Sequence, residues 1–498
     1  VSAGERDRVI VDGLLIRSVS LGGSALSQAA QRGALGEWYG RCPSSAEEWR
    51  SHAAAVRASH RPSWLAALAP AFAATGAAAD RLTRAAEHGV VVTTGQQPGL
   101  FGGPTYTFSK AMSALAVANA LEAAIGVPVA PVFWAASDDA DWLEAAVTHV
   151  ATSRGLETAQ LLGPATDGVA MADVALGPLA EARAVLASAC GSAANVAVLD
   201  VLDAAYVPHA TIGAAYVQLL RALLEPLGIA VLDAAHPAVR EAADPFLRDA
   251  LRHAPAVHEA LTARSQAIDA AGYTPQVDVV DGLSLVFRSQ LSSSADGVRR
   301  TRERVPIDSA SAVAREADVG SLGANVLLRP VLERALLPTV CYLAGPGEYA
   351  YFAQVSPVAA ALGVATPVAA PRWACELIET RVRDRQVALG LDDSALRDPH
   401  AAEQQVARAQ LDESIADTLE RLRVTLDTQV RALHESLSGD DAPVVSEAVQ
   451  GLARDLAHKL DRFERRILAG VKRREVEAMR EVAALRAALR PLGSSPER

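Results

Sequence analysis

The stretch VVVTTGQQPGLFGGPTYTFSK, Val90 to Lys110, decides how the rest of the chain reads. Three valines and two threonines make a β-branched run of the kind that becomes a buried strand. Four glycines and two prolines then interrupt it, and Tyr106 to Ala124 follows rich in alanine and free of both breakers, which predicts a helix. VPVAPVFW, Val127 to Trp134, supplies a second strand despite its prolines. Strand, glycine loop, helix and strand form a βαβ unit, which requires parallel strands joined by a crossover.

Working outward, the same unit recurs. Ile229 to Asp233 reads as a strand, with a helix after Pro237. Thr339 to Leu343 reads as another, followed by a Gly-Pro-Gly turn and a helix, and GVATPVAAPRW holds a last strand. YTPQVDVVDGLSLVFRS predicts a β-hairpin turning at Asp281-Gly282. Residues 1 to about 88 have helical spacing and read as a helical lead-in, and about 150–225 as loop and helix without clear periodicity. The fold class is therefore α/β, with a parallel-sheet core over residues 1–375 that carries insertions at about 150–225 and 265–310.

From residue 376 to 498 the pattern changes. Leu411, Ile415, Leu419, Leu422, Leu426, Val430, Leu433 and Leu437 mark one apolar stripe, and Val449, Leu452, Leu456, Leu460, Phe463, Ile467 and Val471 another. Both repeat every eleven residues, which predicts nearly straight or slightly right-handed packing. Between them Gly439 is a stop signal, Pro443 a breaker and Ser446 an N-cap candidate. The expected result is an antiparallel coiled-coil arm of two helices, each of roughly 35–45 residues and on the order of 50–65 Å. A stripe that long implies a homodimer contact. The basic run from Arg462 to Arg474 reads as a solvated helix face, with nucleotide-phosphate binding the lesser alternative.

Composition excludes several classes. Of 498 residues half are hydrophobic and 21% charged, a globular balance. The net charge of −11 argues against a general nucleic-acid surface. No apolar run approaches the roughly 18 residues of a membrane span, and no N-terminal targeting pattern precedes the first element, so the expected location is cytoplasmic. Cys42, Cys190, Cys341 and Cys375 lack zinc or disulfide spacing. They read as small buried hydrophobes, with Cys341, beside a glycine turn, the one candidate nucleophile.

Three loops fall at the carboxyl ends of predicted strands, where α/β proteins bind ligands. The first, Gly95-Gln96-Gln97, lacks the Walker and GxGxxG spacings, so it reads either as an anion-holding loop or as a tight turn. Lys110 lies two turns into the helix, which places it deep for a ligand. The second loop clusters Asp138, Asp139, Asp141 and Glu144, suited to an ammonium, to sugar hydroxyls or to general-base work, or else to a solvated helix start. No metal site is expected, since the EF-hand glycine and terminal glutamate are missing. The third, AGPGEYAYFAQ, offers Gly345, Gly347, Glu348, Tyr349, Tyr351 and Gln354.

TGQQPGLFGGPTYTFSK, PVFWAASDDADW, NVLLRPVLERALLPTVCYLAGPGEYAYFAQV and TPVAAPRW together resemble the cysteine-adding enzymes of bacillithiol biosynthesis, from about Thr93 to Trp373. The resemblance implies a Rossmann-like core with inserted connecting segments and a homodimerising coiled coil. It also implies a ligase that condenses L-cysteine with the amine of glucosaminyl-malate. Activating a free carboxylate calls on chemical grounds for ATP and Mg²⁺, although no motif here announces them. By motif, Asp138, Asp139 and Asp141 would be catalytic, one of them holding the cysteine ammonium or deprotonating the attacking amine. Gly95, Gln96, Gln97, Tyr106, Asn325, Arg329, Gly347, Glu348 and Tyr351 would bind substrate, with Arg329 the partner of a malate carboxylate. Two positions depart from the family pattern. Ala140 stands where a histidine is usual, and Pro496-Glu497-Arg498 stands where the family's Gln-Glu-Arg leads into a tail. The alternatives are a related condensing enzyme using another amino acid or amino-sugar acceptor, and a non-catalytic nucleotide- or sugar-binding dimer.

Overall fold

The β-branched run becomes strand β1, Val90–Gln96, buried on both faces. Four more strands flank it in the computed structural model: β2 (Val129–Ala135), β3 (Ala230–Asp233), β4 (Thr339–Ala344) and β5 (Ala369–Pro371). The structure describes residues 8–163, 168–190, 196–294, 297–437 and 446–497. Every pairing in this sheet is parallel, in the order β5-β4-β1-β2-β3. The chain thus starts in the middle, winds one way through β2 and β3, and returns to add β4 and β5. This is the Rossmann-like doubly wound order, and its switch point lies between β1 and β4.

Burial on both faces explains why the strands read as continuous apolar runs rather than alternating ones. Val90 and Val92 pack with Ala114, Ala118 and Leu121 of helix α1 (Tyr106–Ile125). Val91 points the other way, to Leu68, Phe72 and Leu82 of the lead-in helices Trp64–Phe72 and Gly76–His88. Each valine so buried contributes roughly 1.5–3 kcal/mol.

The two long crossovers carry the insertions. Between β2 and β3 lie the one-turn helix α2 (Trp142–Ala145), two short strands, and α3 (Ile212–Leu224), which packs back on the sheet. Between β3 and β4 lie α4 (Pro237–Arg252), a long antiparallel ribbon and α5 (Arg329–Leu336). After β4 comes α6 (Pro346–Ala361).

The ribbon departs from the expected hairpin. Its strands are Leu283–Ser294 and Gly297–Pro306, so Asp281-Gly282 precedes the first strand instead of turning between two. The segment before it takes its hydrogen bonds from a side chain. The buried Gln354 amide accepts from the Val277 N–H at 3.0 Å and donates to its carbonyl at 2.7 Å, standing in for a neighbouring strand. The lead-in is also not wholly helical. Arg8–Val11 and Leu14–Ser18 form an antiparallel hairpin closed by Asp12 and Gly13, both at positive φ. VIVDGLLI carries the Asp-Gly signal for such a turn, and the helical reading passed over it.

By contacts the chain forms two units. One holds Ser18–Thr148, Thr158–Cys375 and the chain from Glu497, and contains the five-stranded sheet. The other gathers the described residues up to Arg17, His149–Glu157 and Glu376–Pro496. Its own core joins Leu15, Ile378, Leu396, Val406, Val482 and Leu485. Its helices are α7 (Pro399–Ala409), α8 (Glu413–Ser436), α9 (Ser446–Arg474) and α10 (Val476–Leu489).

The long pair is shorter than the stripes predict. α8 has 24 residues and α9 has 29, or roughly 36 and 44 Å. Asp412 caps α8 and separates it from α7, and Glu475, at φ −93° and ψ 53°, breaks the run after α9. Ion pairs link the helices in opposite chain order, Glu403 to Lys472, Arg408 to Glu464 and Arg423 to Asp461, so α9 runs antiparallel to α7 and α8. Gly439 and Pro443 lie outside the described residues. Arg462, Arg465, Arg466, Arg473 and Arg474 are exposed, while Lys472 is bound to Glu403 at 2.8 Å. No helix among the described residues is long and apolar enough to cross a membrane.

Candidate active site

Strand β1 delivers Gly95, Gln96 and Gln97 to the carboxyl edge of the sheet, and β4 delivers the Gly345-Pro346-Gly347 turn beside them. A cleft of about 480 Å³ opens between these two loops at the switch point. Tyr106 and Lys110 of α1, Glu144 of α2, Arg329 of α5, Glu348 and Tyr351 of α6, and Arg372 after β5 complete its wall.

The glycines of the first loop are set by the chain itself. A Cβ on Gly95 would lie 2.8 Å from the Trp134 carbonyl oxygen on β2, and one on Gly99 would lie 2.5 Å from the Gly103 Cα. The loop therefore needs glycine to pass over its own backbone, and the polar side chains it presents are Gln96 and Gln97.

Lys110 holds the floor. Its Nζ donates to the Gly95 carbonyl at 2.7 Å and to Gln96 Oε1 at 2.9 Å, and meets Glu348 Oε2 at 2.5 Å. It is thus part of the cleft, contrary to the expectation that it lies too deep. It falls one turn after Tyr106 on α1, and that i,i+4 spacing was the available signal. Glu348 also accepts from the Tyr342 hydroxyl at 2.6 Å and the Gly345 N–H at 2.7 Å, and Arg329 stands 3.7 Å away. Burial alone would raise its carboxyl; Lys110 and Arg329 outweigh this and hold it below the usual range. Burial pulls the Lys110 ammonium down, against the attraction of Glu348.

Glu144 forms the opposite wall. It accepts from the Tyr106 hydroxyl at 3.1 Å and from the Gln97 side-chain amide. Burial, with Asp141 and Asp139 nearby, raises its carboxyl, while Tyr106 works the other way. Gln96 donates to the Tyr106 hydroxyl at 3.3 Å. Arg372 lies over the Tyr106 ring, 5.7 Å from its centroid. It is held by a bidentate pair with Glu497 at 2.9 and 3.1 Å. Glu497 also accepts from Ser109 and from the Cys375 N–H, and its carbonyl accepts from the Tyr106 N–H. Arg372 follows the last strand, so the strand-end rule could have found it. Nothing in the sequence pointed from Glu497 to Arg372.

The remaining expected residues lie elsewhere. Asp139 accepts from the Asp141 N–H at 3.0 Å and Asp141 from the Glu144 N–H at 3.1 Å, so these two carboxylates shape the loop that carries Glu144. Asp138 lines a separate, smaller cavity, and burial raises its carboxyl. Asn325 is buried, its Oδ1 accepting from the Leu327 and Leu328 N–H groups, while its carbonyl accepts from the Arg329 N–H. It builds the turn that presents Arg329. Glu333, buried one turn further along α5, has its carboxyl lifted by burial to about 7. Cys341 is not a nucleophile: it is 1% exposed in the core under α1, and burial pushes its thiol far up.

Comparison with known proteins agrees with the Rossmann-like fold. The family model described as "Bacillithiol biosynthesis BshC, N-terminal Rossmann-like domain" matches residues 27–373. A relative from Solibacter usitatus (strain Ellin6076) is 32% identical over 442 residues, covering 87% of this chain and 83% of its own length. One from Koribacter versatilis (strain Ellin345) is 31% identical, covering 79% and 74%. One from Geobacillus thermodenitrificans (strain NG80-2) is 27% identical, covering 83% and 78%. All three bear the name "Putative cysteine ligase BshC".

Proposed function

The chain belongs to the BshC family of bacillithiol biosynthesis, and from that premise we propose that this ligase joins L-cysteine to the amine of glucosaminyl-malate in the cytoplasm. The observation that carries the reading is the cleft at the switch point, where Lys110, Arg329 and Arg372 face Glu144 and Tyr106. Lys110 and Arg372 are committed to close carboxylate partners, whereas among the described residues the Arg329 side chain meets Tyr351 at 3.3 Å and Glu348 at 3.7 Å. Arg329 is therefore the guanidinium best placed to take a malate carboxylate. Gln96 and Gln97 offer neutral donors and acceptors for sugar hydroxyls.

Of the two carboxylates that line the cleft, Glu348 is paired with Lys110, and Glu144, whose affinity for a proton is raised, suits a general base. The acceptor amine adds to the carboxyl carbon of cysteine, a C–N bond replaces a C–O bond, and the amine proton passes to Glu144. ATP with Mg²⁺, when bound, supplies the activation that makes the carboxylate oxygen a leaving group. The described residues contain no cluster of three or more His, Cys, Asp or Glu able to cage a metal.

Incubation with glucosaminyl-malate, cysteine and ATP-Mg²⁺, read by thiol labelling and mass spectrometry, should give the amide only when ATP is present. Absence of product with cysteine, or product with another amino acid, overturns the substrate assignment. Arg329→Ala should raise KM for glucosaminyl-malate much more than for cysteine, and equal effects would remove its role. We also assign a homodimer contact to the arm, where Ile415, Leu422, Leu433, Leu452 and Phe463 remain 41–55% exposed. A monomer in analytical ultracentrifugation at micromolar concentration would rule that out.

A further inference from the structure

A second cavity, of about 60 Å³, adjoins the cleft at Arg329, which lines both. Its other charged groups are Asp138, Arg240 and Arg302. Opposite charges this near usually close on each other, and here they do not. The Arg302 guanidinium donates to the main-chain carbonyl of Asp138 at 2.6 Å and lies over the Phe287 ring, 5.0 Å from its centroid. It fixes the loop's backbone, and although Arg302 and Arg329 attract the Asp138 carboxylate, neither closes on it as an ion pair. Arg240 likewise has no ionic or hydrogen-bonding partner among the described residues. Arg329 makes both of its side-chain contacts through Nη2, to Tyr351 and Glu348 in the main cleft. Most of the rest of the wall is apolar, with Trp134, Val239, Ala243, Leu247 and Leu332, and Ser289 adds a hydroxyl.

A molecule that satisfies this wall carries an ammonium for the carboxylate, an anionic group for the guanidinium side, and a short apolar or soft substituent. A water-sized site needs only about 10–15 Å³, so this volume admits a few such groups and excludes a large side chain. We propose that the cavity is the amino-acid pocket of the enzyme. Asp138 takes the α-ammonium, Arg240 and Arg302 provide the field that draws in the carboxylate, and the apolar wall receives the thiol-bearing methylene. Arg329 marks the boundary across which the carboxyl group faces the acceptor. This assignment rests on the ligase reading and gives each substrate its own compartment.

The test is calorimetric titration of the full chain with L-cysteine, cysteamine (no carboxylate) and 3-mercaptopropionate (no ammonium), each without other substrates. The wild type should bind cysteine about tenfold more tightly than either fragment. Asp138→Asn should weaken cysteine and cysteamine by about tenfold and leave 3-mercaptopropionate unchanged. Arg240→Gln should weaken cysteine and 3-mercaptopropionate but not cysteamine. In turnover, Asp138→Asn should raise KM for cysteine about tenfold, with KM for the acceptor within about twofold. Cysteine affinity untouched by Asp138→Asn, or equal changes in both KM values, overturns the pocket. Inorganic phosphate displacing cysteine more strongly than either fragment would overturn it too, marking an anion site. Cysteine binding with this profile but no amide product would overturn the ligase reading and leave the pocket standing.

Discussion

In the core, Lys110 and Glu348 retain 4% and 14% of their side-chain exposure and are bound by several further hydrogen bonds. On the arm, Asp427 and Arg431 form an ion pair one helical turn apart with 68% of each side chain in water. The chemistry is the same and the surroundings are opposite. Water screens the arm pair so well that it contributes little. The core pair has lost its hydration, so each charge depends on the other being present. Buried charge in this protein sets geometry, as the contacts of Lys110 and Glu348 show.

Four substitutions probe that contrast. Lys110→Met should have the largest effect. It strands Glu348 and frees the Gly95 loop, destabilising the protein by about 3–5 kcal/mol and lowering kcat/KM more than about a hundredfold. Denaturant melts and steady-state assays would measure both, and a stable, active variant would end the claim that the pair organises the cleft.

Glu333 comes next and has the opposite sign. Its carboxyl has an ordinary pKa of 4.5 and one of about 7 when folded. The folded state therefore favours the protonated form, and stability falls as pH rises from 4.5 through 7. Glu333→Gln should flatten that part of the stability curve and stabilise the protein above it by on the order of 3 kcal/mol. Melting temperatures across this range would reveal it, and parallel curves for the two proteins would refute it.

Glu497→Gln keeps the shape but removes the charge facing Arg372. A loss of about 2 kcal/mol is expected, with an activity deficit that Glu497→Asp partly restores. Arg431→Ala should be the mildest, within about 0.5 kcal/mol. A larger loss there would mean that the arm relies on its surface pairs.

What the sequence disclosed follows the range of the forces involved. Local signals found all five sheet strands, because β-branched runs and glycine turns act over a few residues. The carboxyl-end rule then located the loops of Gln96 and Glu348. Long-range pairing stayed hidden: Glu497 finds Arg372, and Gln354 caps Val277, through contacts that no spacing records. The acidic loop illustrates an intermediate case. Its four carboxylates stood out together, but only the fold separates Glu144 in the cleft, Asp138 in the second cavity, and Asp139 and Asp141 in the turn. The arm stripes predicted helices and their direction, but the helix breaks at Asp412 and Glu475 shortened them.

The Glu497–Arg372 pair also puts the cleft on a clock. The two residues are 125 positions apart in the chain, and a ribosome adding about 5–20 residues per second needs roughly 6–25 s to cover that distance. During that interval Arg372 has left the ribosome without the carboxylate that later fixes it. The sheet can form early, but the cleft reaches its final arrangement only after Glu497 has been added. Premature release of the nascent chain would yield a folded scaffold with a loose Arg372 rather than a slow enzyme.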